Sequence, residues 1–282
     1  MVVILRKEEK IMKKKRLTLF TIIVIFIISV AFAMSQKSED QNILLSQLQS
    51  NDWQQRAAAA EKLIANRDAH RSEEVKQALI DLLDRENQLI ESTLRESNGL
   101  EGVSVKYGEG YSEYYSMILG DVDQLVEASD KRALKVLARG AYNPDSQLAM
   151  KLANYGEDIV PTLLELALND FASHRENALA ILGEILKRGE LTAKRIPNEM
   201  REEIKQALVR GTSDKEFWVR AQAVRSIGKA GDKNAIPLLE KILETDPGAI
   251  PAAEPGVERY PVREEALKAI SLIKNREKHK SM

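Results

Sequence analysis

Apolar residues recur at helical spacing along most of the chain after residue 50. In the clearest stretch, one apolar stripe runs through residues 219–227, and a second at residues 235–242 occupies positions i, i+3, i+4 and i+7. Only a short turn at Gly231 and Asp232 separates the two stripes. Two helices joined this closely fold against each other as an antiparallel hairpin. Because one hairpin cannot bury its outer faces, the pattern predicts neighbouring hairpins stacked on it.

The same periodicity predicts a chain whose regular structure is entirely helical. Helices are expected at residues 52–66, 72–96, 111–127, 130–140, 145–155, 157–169, 172–188, 199–210, 214–230, 233–245 and 261–276, with a short capping helix at 40–49. Two segments interrupt the pattern. Residues 98–110 contain four glycines and are expected not to be helical, and residues 246–261 contain four prolines. Loops of this length inside a compact array are often functional or disordered.

An arginine, an alanine three residues later and a large aliphatic residue seven residues later recur four times. The arginines are Arg56, Arg175, Arg220 and Arg263. The last three are 45 and 43 residues apart, which matches two-helix units of roughly 40 to 47 residues. Residues 130–138 are the expected place of a further unit that lacks the arginine. The sequence therefore predicts an all-α fold, an α-solenoid of antiparallel helical hairpins, over residues 51–282.

The run WVRAQAVRSIGKAGDKNAIPLLEKIL, at residues 218–243, resembles the short HEAT-like repeat named for phycobilin lyases. The resemblance implies a HEAT-like superhelix in which the recurring arginine is structural and pairs with an acidic residue of a nearby turn. Asp52, Asp170 and Asp214 stand shortly before the first three arginines, but no aspartate stands before Arg263. Such repeats occur in scaffolds, in chaperone-like factors and in a few enzymes, so the resemblance carries fold better than function.

Basic, apolar and small residues follow one another near the N-terminus. Three lysines and an arginine at 13–16 precede an apolar run at 17–30, which is followed by Ala31-Phe32-Ala33. This order predicts a secretory signal at residues 12–33, cleaved after Ala33. The alternative is an uncleaved anchor through residues 17–33, a possible membrane tether that would hold the chain in the inner membrane.

The segments on either side of this signal have separate interpretations. Residues 1–11 fit neither a signal nor the fold, and we interpret them as an upstream extension of a chain that begins at Met12. Residues 34–50 are interpreted as a polar leader followed by the capping helix. Residues 51–282 form the predicted repeat domain.

Export would change the charge of the protein. The chain has 42 Lys and Arg and 43 Asp and Glu, and residues 1–33 hold seven of the former and two of the latter, which leaves a net charge of −6. A mildly acidic chain lacks the basic face of a nucleic-acid binder, so no nucleic-acid partner is expected. The absence of cysteine excludes disulfides, a thiol nucleophile and attachment as a lipoprotein.

Two groups of residues are candidate partner-binding positions. The first consists of Tyr107, Tyr111, Tyr114 and Tyr115, because tyrosine is favoured on recognition surfaces. The alternative is that these tyrosines form the packing stripe of a helix. The second consists of Arg259 and Tyr260 in the proline-rich segment, which could dock a partner or cover the last hairpin.

No motif of catalysis or cofactor binding is present. The chain lacks the nucleophile elbow, the zinc-protease motif and the phosphate-binding loop, and its histidines, His70, His174 and His279, are expected at the surface or at helix caps. We therefore expect no catalytic residue, no metal and no cofactor.

The resulting hypothesis is an exported, non-catalytic scaffold or adaptor that binds another protein at the cell envelope. It would be periplasmic or extracellular, or anchored in the inner membrane if the signal is not cleaved, and its partner would sit on the surface formed by the second helix of each hairpin. The alternatives are an enzyme accessory or lyase-like protein, and a membrane-tethered structural spacer.

Overall fold

The computed structural model describes residues 40–66, 70, 72–97, 101–127, 130–142, 147–191, 196–253 and 257–280. The predicted signal or anchor at 12–33, the extension at 1–11 and the start of the polar leader lie outside the described residues. The chain divides into two compact units, Met1–Leu82 and Leu83–Met282, which are taken in turn.

The described part of the first unit contains two helices of more than one turn and the beginning of a third. Residues 40–47 are helical (α1), α2 spans Trp53–Ala65, and α3 spans Glu73–Ser97 and continues into the second unit. The Asp52 side chain accepts a hydrogen bond from the Gln54 N–H and so caps α2. Ala59 and Leu63, at the predicted alanine and aliphatic positions, are fully buried.

Where the structure describes the second unit, it consists of ten further helices and one pair of short strands. The helices are α4 (Glu101–Tyr107), α5 (Tyr111–Glu127), α6 (Leu134–Arg139), α7 (Gln147–Leu152), α8 (Val160–Leu166), α9 (Ala172–Leu191), α10 (Asn198–Gly211), α11 (Phe217–Ala230), α12 (Ile236–Thr245) and α13 (Pro261–Lys280). Short 3-10 turns lie at Lys131–Ala133, Ala153–Asp158 and Lys233–Ala235. The fold is an all-α solenoid, as the periodicity predicts.

The first interrupting segment contains a helix that the sequence analysis did not expect. Helix α4 lies inside residues 98–110 and includes Gly102, and it buries Val103. The helix ends where Gly108 and Gly110 adopt positive φ angles of 80° and 85°. Such angles are costly for residues other than glycine. These two glycines therefore end the helix, and the part of the segment before them can still be helical.

The second interrupting segment contains the two strands, although no strand was predicted. Strands β1 (Ile250–Pro251) and β2 (Glu258–Arg259) pair antiparallel, with Ile250 opposite Arg259. A further hydrogen bond from the Ala252 N–H to the Val257 carbonyl, at 2.9 Å, extends the pairing toward the turn. Helical periodicity carries no signal for strands this short.

Glycines set the distance between successive long helices. Helix α9 packs on α11, and α11 packs on α13. A Cβ atom on Gly183 of α9 would stand 2.5 Å from the Ser226 Cβ, and one on Gly228 of α11 would stand 2.7 Å from the Ala269 Cβ. Both glycines lie eight residues after the recurring arginine, so the close approach repeats with the period of the array.

Two of the recurring arginines, Arg175 and Arg220, join their repeat to the next. Arg175 donates to both Asp214 carboxylate oxygens, at 2.6 and 2.8 Å, and Arg220 donates to those of Asp246, at 2.7 and 3.0 Å. Arg263 donates to the main-chain carbonyl of Asp246 at 2.7 Å. The acceptors of Arg175 and Arg220 therefore belong to the turn that precedes the following repeat, whereas the acceptor of Arg263 lies in the segment before its own helix.

The aspartate that precedes an arginine in sequence does not form the ion pair with it that the resemblance implied. The Asp170 carboxylate accepts from Arg95, and only the Asp170 main-chain carbonyl accepts from Arg175. Arg56 is buried and donates to the main-chain carbonyls of residues 50 and 51. Main-chain carbonyls just before the helix thus position the guanidinium. Its remaining N–H groups can then reach a more distant turn.

Candidate functional site

The tyrosine cluster lies largely inside the second unit. Tyr111 and Tyr114 are only 2% and 4% exposed, and their hydroxyls donate to the buried Glu86 carboxylate at 2.7 and 3.0 Å. The Tyr115 hydroxyl donates to the Asn87 side-chain oxygen at 2.6 Å. Neither Tyr111 nor Tyr114 therefore presents its ring to a partner, which agrees with the packing alternative.

Tyr107 belongs to the same cluster but is half-buried. Its ring stacks on that of Tyr111 with 4.5 Å between the centroids. Burial, followed by the Glu86 charge, raises the pKa of the Tyr111 hydroxyl above its usual value. The hydroxyl consequently remains a hydrogen-bond donor to the carboxylate at any physiological pH.

Arg259 and Tyr260 remain at the surface but are engaged by their own neighbours. The Arg259 guanidinium donates to the Glu264 carboxylate, and the Tyr260 hydroxyl donates to Glu258 at 2.8 Å. The Arg263 guanidinium lies over the Tyr260 ring, 4.3 Å from its centroid. These contacts fasten the end of β2 to the start of α13, while Arg259 stays exposed.

His174 is in the interior, where the sequence analysis expected a surface or capping position. It is 1% exposed, with its ring centroid 5.1 Å from that of Phe171 and 5.9 Å from that of Tyr142. Its Nδ1 lies 3.8 Å from a Glu91 carboxylate oxygen. Burial lowers the pKa of His174, against the opposing effect of Glu91.

A groove lies between α10 and α12, which are predicted second helices of their hairpins. Its first half has a volume of about 310 Å³ and an apolar floor made by Leu186, Leu208 and Ile227, all of which are buried. Val209 and Leu238 stand at its walls, and Val209 is 48% exposed. A large apolar side chain placed there would lose contact with water on most sides.

The second half of the groove is polar. It has a volume of about 350 Å³ and is lined by Thr212, Asp214, Arg220, Lys241, Thr245 and Asp246 among others. The two halves adjoin at Leu238, which lines both, and together we call them the α10–α12 groove. The groove follows the 3-10 turn before α12 and then α12 itself, from Asn234 to Thr245.

The ion pairs between repeats hold the polar half in place. Burial opposes ionisation of Asp246, but hydrogen bonds from Arg220 and from the Gly248 N–H outweigh it and lower the pKa of the carboxyl. Asp214 behaves likewise, since hydrogen bonds from Arg175 and from the Glu216 N–H lower its pKa despite burial. Both carboxylates are therefore charged at neutral pH and already occupied.

Sequence reasoning missed the groove residues. Periodicity placed Leu238 in a buried stripe of α12, whereas the structure leaves it half-buried beside the groove. Val209 could have been noticed, because it falls outside the buried stripe of α10 formed by Ile204, Ala207 and Leu208. A groove between helices of different hairpins leaves no other pattern within either helix.

Comparisons with known proteins bear on the segment that contains this groove. A family model described as HEAT repeats matches residues 160–254. The matched segment contains helices α8 to α12 and the whole groove. No curated protein matches the chain.

Solved structures similar to this chain include engineered and designed proteins. One is an engineered protein with 17% sequence identity over 84% of this chain and 97% of its own, at a TM-score of 0.36. Another is the designed armadillo repeat protein YIII(Dq)4CqI, with 19% identity over 82% of this chain and 98% of its own, at a TM-score of 0.35.

Metal-binding clusters and membrane spans are both absent from the described residues. No group of three or more His, Cys, Asp or Glu residues there is arranged to hold a metal ion. Within the same described ranges, no helix is both long and apolar enough to cross a bilayer. The predicted anchor at residues 17–33 is not part of those ranges.

Proposed function

We propose that this protein is an exported, non-catalytic scaffold that binds another protein in the α10–α12 groove. The observation that carries the proposal is the apolar half of the groove, where the exposed Val209 and the half-buried Leu238 stand above a buried apolar floor. Concave apolar surface with a few polar groups is typical of binding sites. The repeat scaffold is itself compatible with protein binding.

Export and a place at the cell envelope rest on the order of basic, apolar and small residues at 12–33. The absence of an enzymatic role is proposed from the same groove. Its lining offers threonines, one serine, carboxylates and cations, but includes neither a histidine nor a cysteine. The carboxylates Asp214 and Asp246 are held in ion pairs, so neither is free to act as a general base.

Retention of envelope proteins by groove variants tests the proposal. We expect Val209→Glu to abolish retention of the partner, because a carboxylate would then be buried against an apolar surface. Val105→Glu is the matched control, since Val105 is 86% exposed on α4 and lies outside the groove. Both variants should unfold at the temperature of the unmodified chain.

The partner is identified by mass spectrometry, purified, and its dissociation constant measured against each variant. Equal affinity for the unmodified chain and for a folded Val209→Glu variant would contradict the groove as the binding site.

A further inference from the structure

Most charges that line the α10–α12 groove are neutralised within the protein. Glu202 pairs with Lys205 at 2.8 Å on α10. The Asp246 carboxylate pairs with Arg220, and that of Asp214 pairs with Arg175. These pairs leave the groove without a strong field of either sign along most of its length.

Among the described residues that line the groove, two charges remain unpaired, those of Asp232 and Lys241. The Asp232 side chain accepts a hydrogen bond from the Asn234 N–H at 2.8 Å but forms no ion pair there. Lys241 is exposed and forms none either. Asp232 lines the apolar half and Lys241 the polar half, so the groove carries a free negative charge at one end and a free positive charge at the other.

The ends of the helices do not cancel the charge of Lys241. The last carbonyls of α10 accept hydrogen bonds from the N–H groups of Thr212, Ser213 and Asp214. At the end of α12, the Lys241 and Ile242 carbonyls accept from the Thr245 hydroxyl and the Asp246 N–H. With these carbonyls satisfied, the Lys241 ammonium is the free charge that remains at this end.

The separation of the two charges indicates the form of the occupant. Asp232 caps the 3-10 turn Lys233–Ala235 that precedes α12, and Lys241 lies within α12. At about 2 Å per residue up to Ile236 and about 1.5 Å per residue along the helix, the two positions are about 15 Å apart. An extended peptide rises about 3.4 Å per residue, so charges four residues apart in such a peptide would face Asp232 and Lys241 together. The residue midway between them would lie over Val209 and Leu238.

We infer that the α10–α12 groove recognises an extended peptide segment with one basic residue, one central large apolar residue and one acidic residue. The basic group pairs with Asp232, the apolar side chain fills the Leu186–Leu238 half, and the acidic group pairs with Lys241. This inference rests on the proposed function and adds the chemistry of the partner to it.

Synthetic peptides test this pattern directly. The probes are fluorescein-labelled, glycine-flanked peptides with both ends capped and with the cores Lys-Ser-Leu-Ser-Glu, Glu-Ser-Leu-Ser-Lys, Lys-Ser-Leu-Ser-Lys and Glu-Ser-Leu-Ser-Glu. Anisotropy is measured with the purified full chain at low salt. We expect at least one mixed-charge core to bind about two- to fivefold more tightly than both same-charge cores, and this difference to shrink in 0.5 M salt.

Variants assign each end of the peptide to its residue. Lys241→Glu should shift the preference to the Lys-Ser-Leu-Ser-Lys core, because both ends of the groove are then negative. Asp232→Asn keeps a side chain that caps equally well but removes the charge, so it should reduce the benefit of the basic residue. Replacing the central leucine of the probe with serine should weaken binding at least tenfold.

The outcomes separate this inference from the proposed function. Leucine-dependent binding without any charge preference would overturn the inference and leave the groove as a protein-binding site. The inference also fails if no probe binds to a chain that still retains its protein partner through Val209. If neither the leucine nor Val209 matters, both the inference and the proposed function fail.

Discussion

The guanidinium of Arg220 makes four hydrogen bonds, two to the Asp246 carboxylate and two to the main-chain carbonyls of Asp214 and Lys215. One side chain thus fixes the turn before its own helix and the turn before the next repeat. The planar guanidinium is required for this arrangement, because a lysine ammonium cannot form a bidentate pair with a carboxylate and also reach two carbonyls. The recurring arginine therefore has a structural role in the repeat.

Arg220→Lys should lower the free energy of unfolding by about 2–3 kcal/mol, since Asp246 would keep its charge in a buried place with a poorer partner. The measurement is urea denaturation followed by circular dichroism. Arg225→Lys is the control, because Arg225 is more exposed and meets Glu265 at 3.3 Å; its effect should stay within about 0.5 kcal/mol. Equal effects of the two substitutions would contradict the structural role of Arg220.

His174 makes stability depend on pH. Burial lowers its pKa in the folded state, so the unfolded chain binds the proton more readily. Its contribution to stability is therefore complete above the unfolded pKa of about 6.5 and is lost progressively as the pH falls from there toward the lowered folded pKa.

His174→Gln should reduce the loss of stability between pH 7.5 and pH 5.5, because glutamine binds no proton in either state. His279→Gln, at an exposed position of α13, should leave the slope unchanged. The free energy of unfolding is measured at several pH values for the unmodified chain and for both variants. An unaltered slope in His174→Gln would contradict this account.

Glycine permits the close approach of α11 and α13. A Cβ on Gly228 would stand 2.8 Å from the Cα of Ala269, and main-chain atoms of α13 cannot move aside without displacing the helix. Gly120 in α5 is different, since nothing lies within 4 Å of the place its Cβ would occupy. The two glycines share a helical setting and differ in their surroundings.

Gly228→Ala should destabilise the protein by about 1–3 kcal/mol through overpacking, although alanine favours helix. Gly120→Ala should instead stabilise it by about 0.5–1 kcal/mol, because the unfolded chain loses freedom and no contact is strained. Thermal and urea unfolding of the two variants measure the difference. If both substitutions stabilise, the close contact between α11 and α13 is not a constraint.

The elements differ in how far the sequence determined them. Helices α5, α9, α11 and α13 were predicted within a few residues, because each has a long apolar stripe and a recognisable start. Helix α4 and the β1–β2 pair were not predicted. Four glycines in residues 98–110 and four prolines in residues 246–261 indicated irregular structure, and the stretches between them are too short to show a periodicity. Whether a given glycine ends a helix depends on its φ angle, which the sequence does not contain.

The candidate site was predicted only in its general location. The second helices of the hairpins were expected to present the binding surface, and the groove does lie between two of them. Its decisive residues, Val209, Asp232 and Lys241, belong to different elements and have no common spacing. The packing of successive repeats brings these residues together and leaves Asp232 and Lys241 without an ion pair. The sequence of a single repeat does not specify that packing.

At the scale of the whole molecule, the proposal depends on the fate of residues 12–33. Cleavage after Ala33 requires small residues at positions 31 and 33, and the released chain would begin at Met34 with a net charge of −6. An uncleaved segment would instead tether the same scaffold to the inner membrane, where 17 apolar or small residues are just long enough to span. The two fates differ in mass and in the fraction where the protein is found.

We expect the expressed chain to be released from the membrane with the mass of residues 34–282, and Ala33→Leu to retain the full segment and to remain in the membrane fraction. Ser35→Leu, just beyond the predicted cleavage site, is the control and should be processed normally. Intact mass spectrometry of the soluble and membrane fractions gives the answer. An unmodified chain found only in the membrane fraction, with residues 17–33 still attached, would contradict release and show that the scaffold is tethered. A chain anchored at one end would then meet only partners within reach of the membrane surface.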